Sequence, residues 1–179
     1  MRIVGGKFKG KRFNPPVGKW PTRPTTDFAR EALYNILNNR IDFEEVVFLD
    51  LFCGTGSHCF EIISRGCTDA TCVDNYPGCL QFITKTAKEL GIEANLKIIR
   101  ADIFKFLISV RSSYNLIFAD PPYGLSQMHT LPDLIFQSEI LAQDGIFILE
   151  HGTENTFFNH VYFREERKYG DSVFSFFER

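Results

Sequence analysis

The chain reads as an α/β protein built on a seven-stranded, mostly parallel sheet with one reversed strand. Three observations predict this. Short apolar runs at residues 46–49, at 96–99, at 116–119 and at 146–149, and another ending at Val73, have the length of buried parallel strands. Helical patterns fall between these runs, so strands and helices alternate. Near the end, runs at 162–167 and 172–177 meet at Tyr169-Gly170-Asp171, which reads as a hairpin and reverses one strand.

The elements follow in order. Residues 28–38 read as a helix capped by Thr25 or Thr26, with Phe28, Ala32, Leu33, Ile36 and Leu37 facing inward. Arg23, Thr25, Asp27 and Arg30 would cluster at its start. The first strand ends in Asp50 and the glycine loop Cys53-Gly54-Thr55-Gly56, and a helix over 57–65 follows. The second strand ends at Asp74. A helix over 76–90 is closed by Gly91, a residue suited to a left-handed cap. The third strand runs into Ala101-Asp102, and a short helix over 103–110 leads to the fourth strand, which ends at Asp120. A helix over 131–141 precedes the fifth strand, which is followed by Glu150-His151-Gly152. His151 is expected at the surface or as a cap.

A chain of 179 residues with 44% apolar content suits one globular domain with a sizeable core. No stretch reaches the roughly 18 apolar residues of a membrane span, and no secretory leader pattern precedes the fold. The five cysteines, Cys53, Cys59, Cys67, Cys72 and Cys79, include no CxxC pair and are odd in number, so they read as buried thiols in a reducing compartment. The four histidines show no metal spacing, and the 19 phenylalanines fall mostly at strand and helix core positions. The net charge of −2 hides an asymmetry. Residues 1–26 hold Arg2, Lys7, Lys9, Lys11, Arg12, Lys19 and Arg23 and no acid, leaving 13 basic against 22 acidic residues in the rest. This segment, broken by Gly5-Gly6, Gly10 and Pro15-Pro16 and carrying Phe8 and Trp20, reads either as a nucleic-acid contact or as a solvated arm covering a sheet edge. The domain plan is therefore a basic extension over 1–26 and a globular unit over 27–179.

Two motifs carry chemistry. Asp120-Pro121-Pro122-Tyr123 follows a buried strand. Its prolines fix φ and remove backbone donors, so Asp120 and the Pro121 carbonyl can accept both hydrogens of an amine while Tyr123 offers a stacking face. The glycine loop lets a ligand approach the backbone, and Asp74, eighteen positions past Gly56, suits ribose hydroxyls. Successive strands thus end in an acid, at the sheet edge where open α/β folds bind ligands.

Together Gly54-Thr55-Gly56, Asp74, Asp102 and the Asp-Pro-Pro-Tyr tetrapeptide resemble the Rossmann-like, class I S-adenosylmethionine-dependent methyltransferases. Residues 2–10, Arg23-Pro24-Thr25-Thr26-Asp27 and residues 30–35 narrow the resemblance to the RsmD family, bacterial enzymes that methylate a guanine N2 in small-subunit (16S) ribosomal RNA. The sequence departs from the family pattern at Cys53, His58, Cys59 and Glu150-His151-Gly152. The resemblance implies that Cys53, Gly54 and Gly56 approach the methionine part of the cofactor and that Asp50 lies near its ammonium. It implies that Asp74 holds the ribose, and that Asp102 and Ile103 meet the adenine. Asp120, Pro121 and Tyr123 would hold the target guanine. Arg2, Lys7, Lys9, Lys11, Arg12 and Arg23 would contact RNA. S-adenosylmethionine is the implied cofactor, and no metal or membrane is implied. Ribosomal RNA, free or in a 30S particle, is the implied partner of a cytoplasmic monomer. A DNA adenine or protein glutamine methyltransferase using the same tetrapeptide, and a non-catalytic RNA-binding protein of the same fold, remain as alternatives.

Overall fold

The computed structural model describes residues 1–16, 25–122 and 124–179. Among them a single sheet has the strand order β3-β2-β1-β4-β5-β7-β6. β1 (Val47–Leu51), β2 (Asp69–Asp74), β3 (Leu96–Arg100), β4 (Tyr114–Ala119) and β5 (Leu141–Gly152) are parallel. β7 (Ser172–Phe177) is antiparallel to β5 and to β6 (Phe163–Tyr169), so it is the one reversed strand. From β1 the chain winds outward to β3, then crosses back to β4 on the other side of β1. The direction of winding therefore reverses between β1 and β4, which opens a crevice at their carboxyl ends.

Side chains alternate across the strands and build a core on each face. Phe48, Phe118 and Ile148 pack with α1 (Asp27–Leu37), α2 (Ser57–Ser64) and α3 (Pro77–Leu90). Their neighbours Leu49, Ile117 and Phe147 point the other way, against α4 (Ile103–Ser109) and α5 (Leu131–Gln137). Two covered faces explain why the central strands are apolar throughout. Every residue of α2 is buried, because the sheet lies beneath it and the amino-terminal residues lie over it.

Those first residues form a tight turn on the domain. Ile3 N–H donates to Lys11 O at 3.0 Å and Phe13 N–H to Met1 O at 3.0 Å. Val4 N–H donates to Glu61 Oε2 at 2.8 Å, and Phe8 N–H to Ser64 Oγ at 2.9 Å, which fastens the turn to α2. Gly6, at φ 71, permits the contact, since a Cβ there would lie 1.8 Å from Ser64 O. Glu61 is wholly buried. It also accepts from Arg65 Nε at 2.9 Å and has Arg30 Nε at 3.9 Å, so its charge is shared among three elements.

Three expectations are corrected. Phe28 is 72% exposed and Ala32 and Ile36 are half-buried; α1 buries Leu33 and Leu37 as expected, and with them Ala29, Arg30 and Tyr34. Thr26 caps the helix, accepting from Ala29 N–H at 3.2 Å. The buried face then turns on Arg30 and Tyr34, which find internal partners: Arg30 donates to Asp27 Oδ1 at 2.7 Å and Tyr34 donates to His58 O at 3.1 Å. A polar residue that is paired inside need not face water. The helix expected over 131–141 stops at Gln137, where Ser138 caps it and Glu139 takes a positive φ of 57°. Leu141 joins β5, which spans 12 residues rather than the central four, with an irregular register opposite Tyr114 and Leu116. His151 is buried, not a surface residue. Its Nε2 lies 2.7 Å from Ser175 Oγ on β7 and its Nδ1 lies 2.8 Å from Gly152 O.

Candidate active site

One row of paired residues crosses the middle of the sheet: Val73, Leu51, Ala119 and Leu149. The next residue on three of these strands is an acid, namely Asp74, Asp120 and Glu150. The parallel register thus lines the crevice with carboxylates at one height.

On the β1–β2 side the site is made of backbone. Phe52 at φ 60, Gly54 at φ 50 and Gly56 at φ 71 turn the chain sharply, and Gly56 N–H closes on Cys53 O at 2.7 Å. A Cβ on Gly56 would lie 2.8 Å from Ile83 Cγ1, so this position needs glycine both for its left-handed backbone and for the packing of α2 on α3. Cys53 N–H donates to Val73 O at 3.1 Å, which ties the loop to β2. Asp74 accepts Gly54 N–H at 2.9 Å on one oxygen and Tyr76 N–H at 2.8 Å on the other. Each oxygen keeps a second lone pair. Asp50 lies beneath the loop, only 1% exposed, and accepts from Cys59 Sγ at 3.4 Å. Burial pushes its carboxyl well above the usual carboxylate range, and the Cys59 hydrogen bond offsets part of that push. Asp102 caps α4, accepting Lys105 N–H at 3.0 Å, beside buried Ile103.

On the β4–β5 side the site is made of side chains. Asp120 is half-buried, and its N–H donates to Leu51 O at 3.3 Å. Burial, then the charges of Glu150 and Asp50, push its carboxyl well above the usual range. Pro121 is buried and Pro122 exposed, and Leu125 N–H closes the turn on Pro122 O at 3.1 Å. Tyr123 lies outside the described residues, as do Arg23, Lys19 and Trp20.

Sequence reasoning missed the support behind Asp120. Glu150 is 6% exposed, and Thr25 Oγ1 donates to its Oε2 at 2.7 Å. His58 Nε2 lies 3.4 Å from the same hydroxyl. The His58 ring stacks on Phe118 with centroids 3.8 Å apart, and burial, with the Arg30 charge, holds the imidazole neutral. The available signal was an acid directly after an apolar strand, the same pattern that picked out Asp74 and Asp120.

The basic candidates divide into two groups. Arg2 Nε lies 3.4 Å from Asp27 Oδ2 in a half-exposed pair, and its carbonyl accepts from Arg30, so it is tied to the start of α1. Lys7 and Lys11 place their ammonium groups 4.9 and 5.3 Å from the Phe8 ring centre, while Lys9 and Arg12 are exposed beside them. All five cysteines are buried free thiols. Among the described residues no cluster of three or more His, Cys, Asp or Glu is arranged to hold a metal ion, and no helix is long and apolar enough to cross a membrane.

This strand order, with its reversed seventh strand and a glycine loop at the switch point, is that expected of the class I S-adenosylmethionine-dependent methyltransferases. A family model described as "Conserved hypothetical protein 95" matches residues 1–178, and the chain belongs to that family, the RsmD family. The Ribosomal RNA small subunit methyltransferase D of Buchnera aphidicola subsp. Baizongia pistaciae is 30% identical over 156 residues, covering 87% of this chain and 77% of that protein. The solved structure of yhhF from Escherichia coli superposes with a TM-score of 0.85 at 26% identity, covering 100% of this chain and 97% of that one. An RNA methyltransferase from Salinibacter ruber in complex with S-adenosyl-L-homocysteine shares the fold, with a TM-score of 0.68 at 15% identity over 87% of this chain and 92% of that one.

Proposed function

We propose that this chain transfers a methyl group from S-adenosylmethionine to the exocyclic N2 of a guanine in small-subunit ribosomal RNA. The observation that carries the reading is Asp120-Pro121 at the switch point, one strand away from the glycine loop and two from Asp74. The cofactor supplies a methyl group on a sulfonium, a strong electrophile.

The residues present fit that cofactor. Asp74, its plane fixed by two backbone N–H groups, offers its remaining lone pairs to the ribose hydroxyls. Gly54 and Gly56 leave the loop bare for the methionine part, and Cys53 is small enough to stay out of its way. Burial raises the Asp50 carboxyl well above its usual range, and a neighbouring ammonium group would offset that push. Asp102 can accept the adenine amino group, with Ile103 as an apolar wall.

The target base must leave its stack to reach this edge. Asp120 and the Pro121 carbonyl then accept the two N2 hydrogens and aim the nitrogen lone pair, with Tyr123 stacked on the ring. As the new bond forms, the nitrogen gains positive charge, and Asp120 stabilises it from a fixed position. Lys7, Lys9, Lys11 and Arg12, with Arg2 and Arg23, would hold RNA phosphates. In the same reading the enzyme acts as a cytoplasmic monomer on free ribosomal RNA or on a 30S particle.

The test is methylation of small subunits and of deproteinised RNA from a strain lacking the enzyme, with nucleosides identified by mass spectrometry. N2-methylguanosine is expected. Methylated adenine, or a methylated protein amide with unmodified RNA, overturns the assignment.

A further inference from the structure

Glu150 has a place in this chemistry that goes beyond its burial. The register that pairs Ala119 with Leu149 brings the residues after them, Asp120 and Glu150, side by side at the edge of the crevice. Glu150 is 6% exposed, so it does not present itself to a solvated substrate. It is held from behind by a hydroxyl that arrives from outside the sheet, Thr25 Oγ1 at 2.7 Å. Thr25 is buried too, and its carbonyl accepts from the Arg30 guanidinium at 3.4 Å, which fixes the segment before α1. A buried carboxylate is tolerated where it is hydrogen-bonded, and one beside a second acid raises the basicity of that acid.

We propose that Glu150, anchored by Thr25, is a positioning residue for the methyl transfer: it sets a second carboxylate beside Asp120 and so makes Asp120 the group that takes the proton shed by the target amine. The inference rests on the reading of Asp120 as the partner of that amine. Once its lone pair has formed the new C–N bond, the departing C–S pair staying on sulfur, the nitrogen is cationic and acidic. Its N–H pair returns to nitrogen and the proton passes to an Asp120 oxygen, leaving a neutral methylated amine and a neutral Asp120. Such an amine can lose its proton to water as well as to a carboxylate, so the more basic neighbour decides where the proton goes. Repulsion from a neighbouring anion in a water-poor site raises the basicity of Asp120.

The surroundings of Asp120 agree. Glu150 faces it from β5 and Asp50 from β1, and both act in the same direction. On α2, His58 stacks on Phe118, two residues before Asp120, and is held neutral by burial and by Arg30. The charge of Arg30 is occupied by Asp27 and Glu61. Among the described residues no cation forms an ion pair with Asp120.

The sign follows. Asp120 works as the anion, so activity fails as pH falls through its raised midpoint. Glu150→Gln keeps an acceptor for the Thr25 hydroxyl and removes the charge. It should lower the midpoint of Asp120 by about one pH unit or more. Two measurements read it: carboxyl 13C NMR titration of Asp120 in the full chain, and the acid limb of single-turnover methylation of small-subunit RNA. Both should move to lower pH together, with the affinity for S-adenosylhomocysteine unchanged. Thr25→Val should shift both the same way, because Glu150 without its donor keeps its proton longer, and Thr25→Ser should restore them. An Asp120 midpoint that is the same in wild type and Glu150→Gln overturns the inference. If the wild type makes no N2-methylguanosine, the assignment of substrate fails instead, and the NMR midpoint still decides the role of Glu150.

Discussion

Asp74 takes its two described hydrogen bonds from backbone N–H groups, one 20 residues before it in the chain and one two residues after. Glu150, two strands beyond β1 in the same sheet, is held by a side chain 125 residues away. The β1–β2 side of the crevice, proposed to hold the cofactor, is therefore written into one strand–loop–helix stretch and its neighbour. The β4–β5 side, proposed to be catalytic, is assembled from the segment before α1, the head of α2 and the ends of β4 and β5. A backbone-built site tolerates changes in side chains around it, whereas an assembled one depends on the packing that brings its members together. Binding of the cofactor and turnover should thus be separable by mutation.

The largest separation is expected at Asp120. Asp120→Ala should lower the single-turnover rate by on the order of 10²–10³, the usual cost of removing one preorganised partner of a developing charge. Calorimetric titration with S-adenosylhomocysteine should give an affinity close to that of the wild type. A near-normal rate would mean that the two sides of the crevice are not divided in this way. A smaller effect, in the opposite sense, is expected at Asp74. Asp74→Ala should cost about 1–3 kcal/mol of cofactor affinity by the same titration, since it leaves ribose hydroxyls without an acceptor. Unchanged affinity would remove Asp74 from the cofactor side. The smallest effect belongs to neither side. Replacing Lys7, Lys9, Lys11 and Arg12 together by Ala should flatten the log–log salt dependence of RNA binding by up to about 2.8, at roughly 0.7 for each single-strand phosphate that is no longer neutralised. Cofactor affinity should not move. An unaltered slope would make the turn a cover for α2 and nothing more.

The same division explains what could be read from the sequence. The alternation of strands and helices, the reversed strand and the loop from Asp50 to Gly56 are local patterns, and the fold carries them as expected. Glu150 was passed over because its meaning depends on Thr25, which no spacing rule connects to it. The inward face of α1 was misjudged because Arg30 looks like a surface residue until Asp27 and Glu61 are seen beside it. Likewise the apolar residues 140–141 continue a helical pattern, and only pairing with β4 assigns Leu141 to a strand. His151 seemed too polar for the interior because its partner, Ser175, lies on a strand formed much later in the chain.

The seat of the basic turn on α2 has a consequence in time. A chain is made from its amino end, so Ile3, Val4 and the cations around them emerge before α2. Val4 cannot reach Glu61 until 57 further residues have followed. Closing a loop of that length costs only modestly more entropy than closing a shorter one, so the delay is set by synthesis and by the folding of α2, not by the search. Residues 3–8 thus take their shape only once α2 is there to receive them. They take it only against a helix whose amino end is the glycine loop, so a chain that has not built that loop does not display its basic turn.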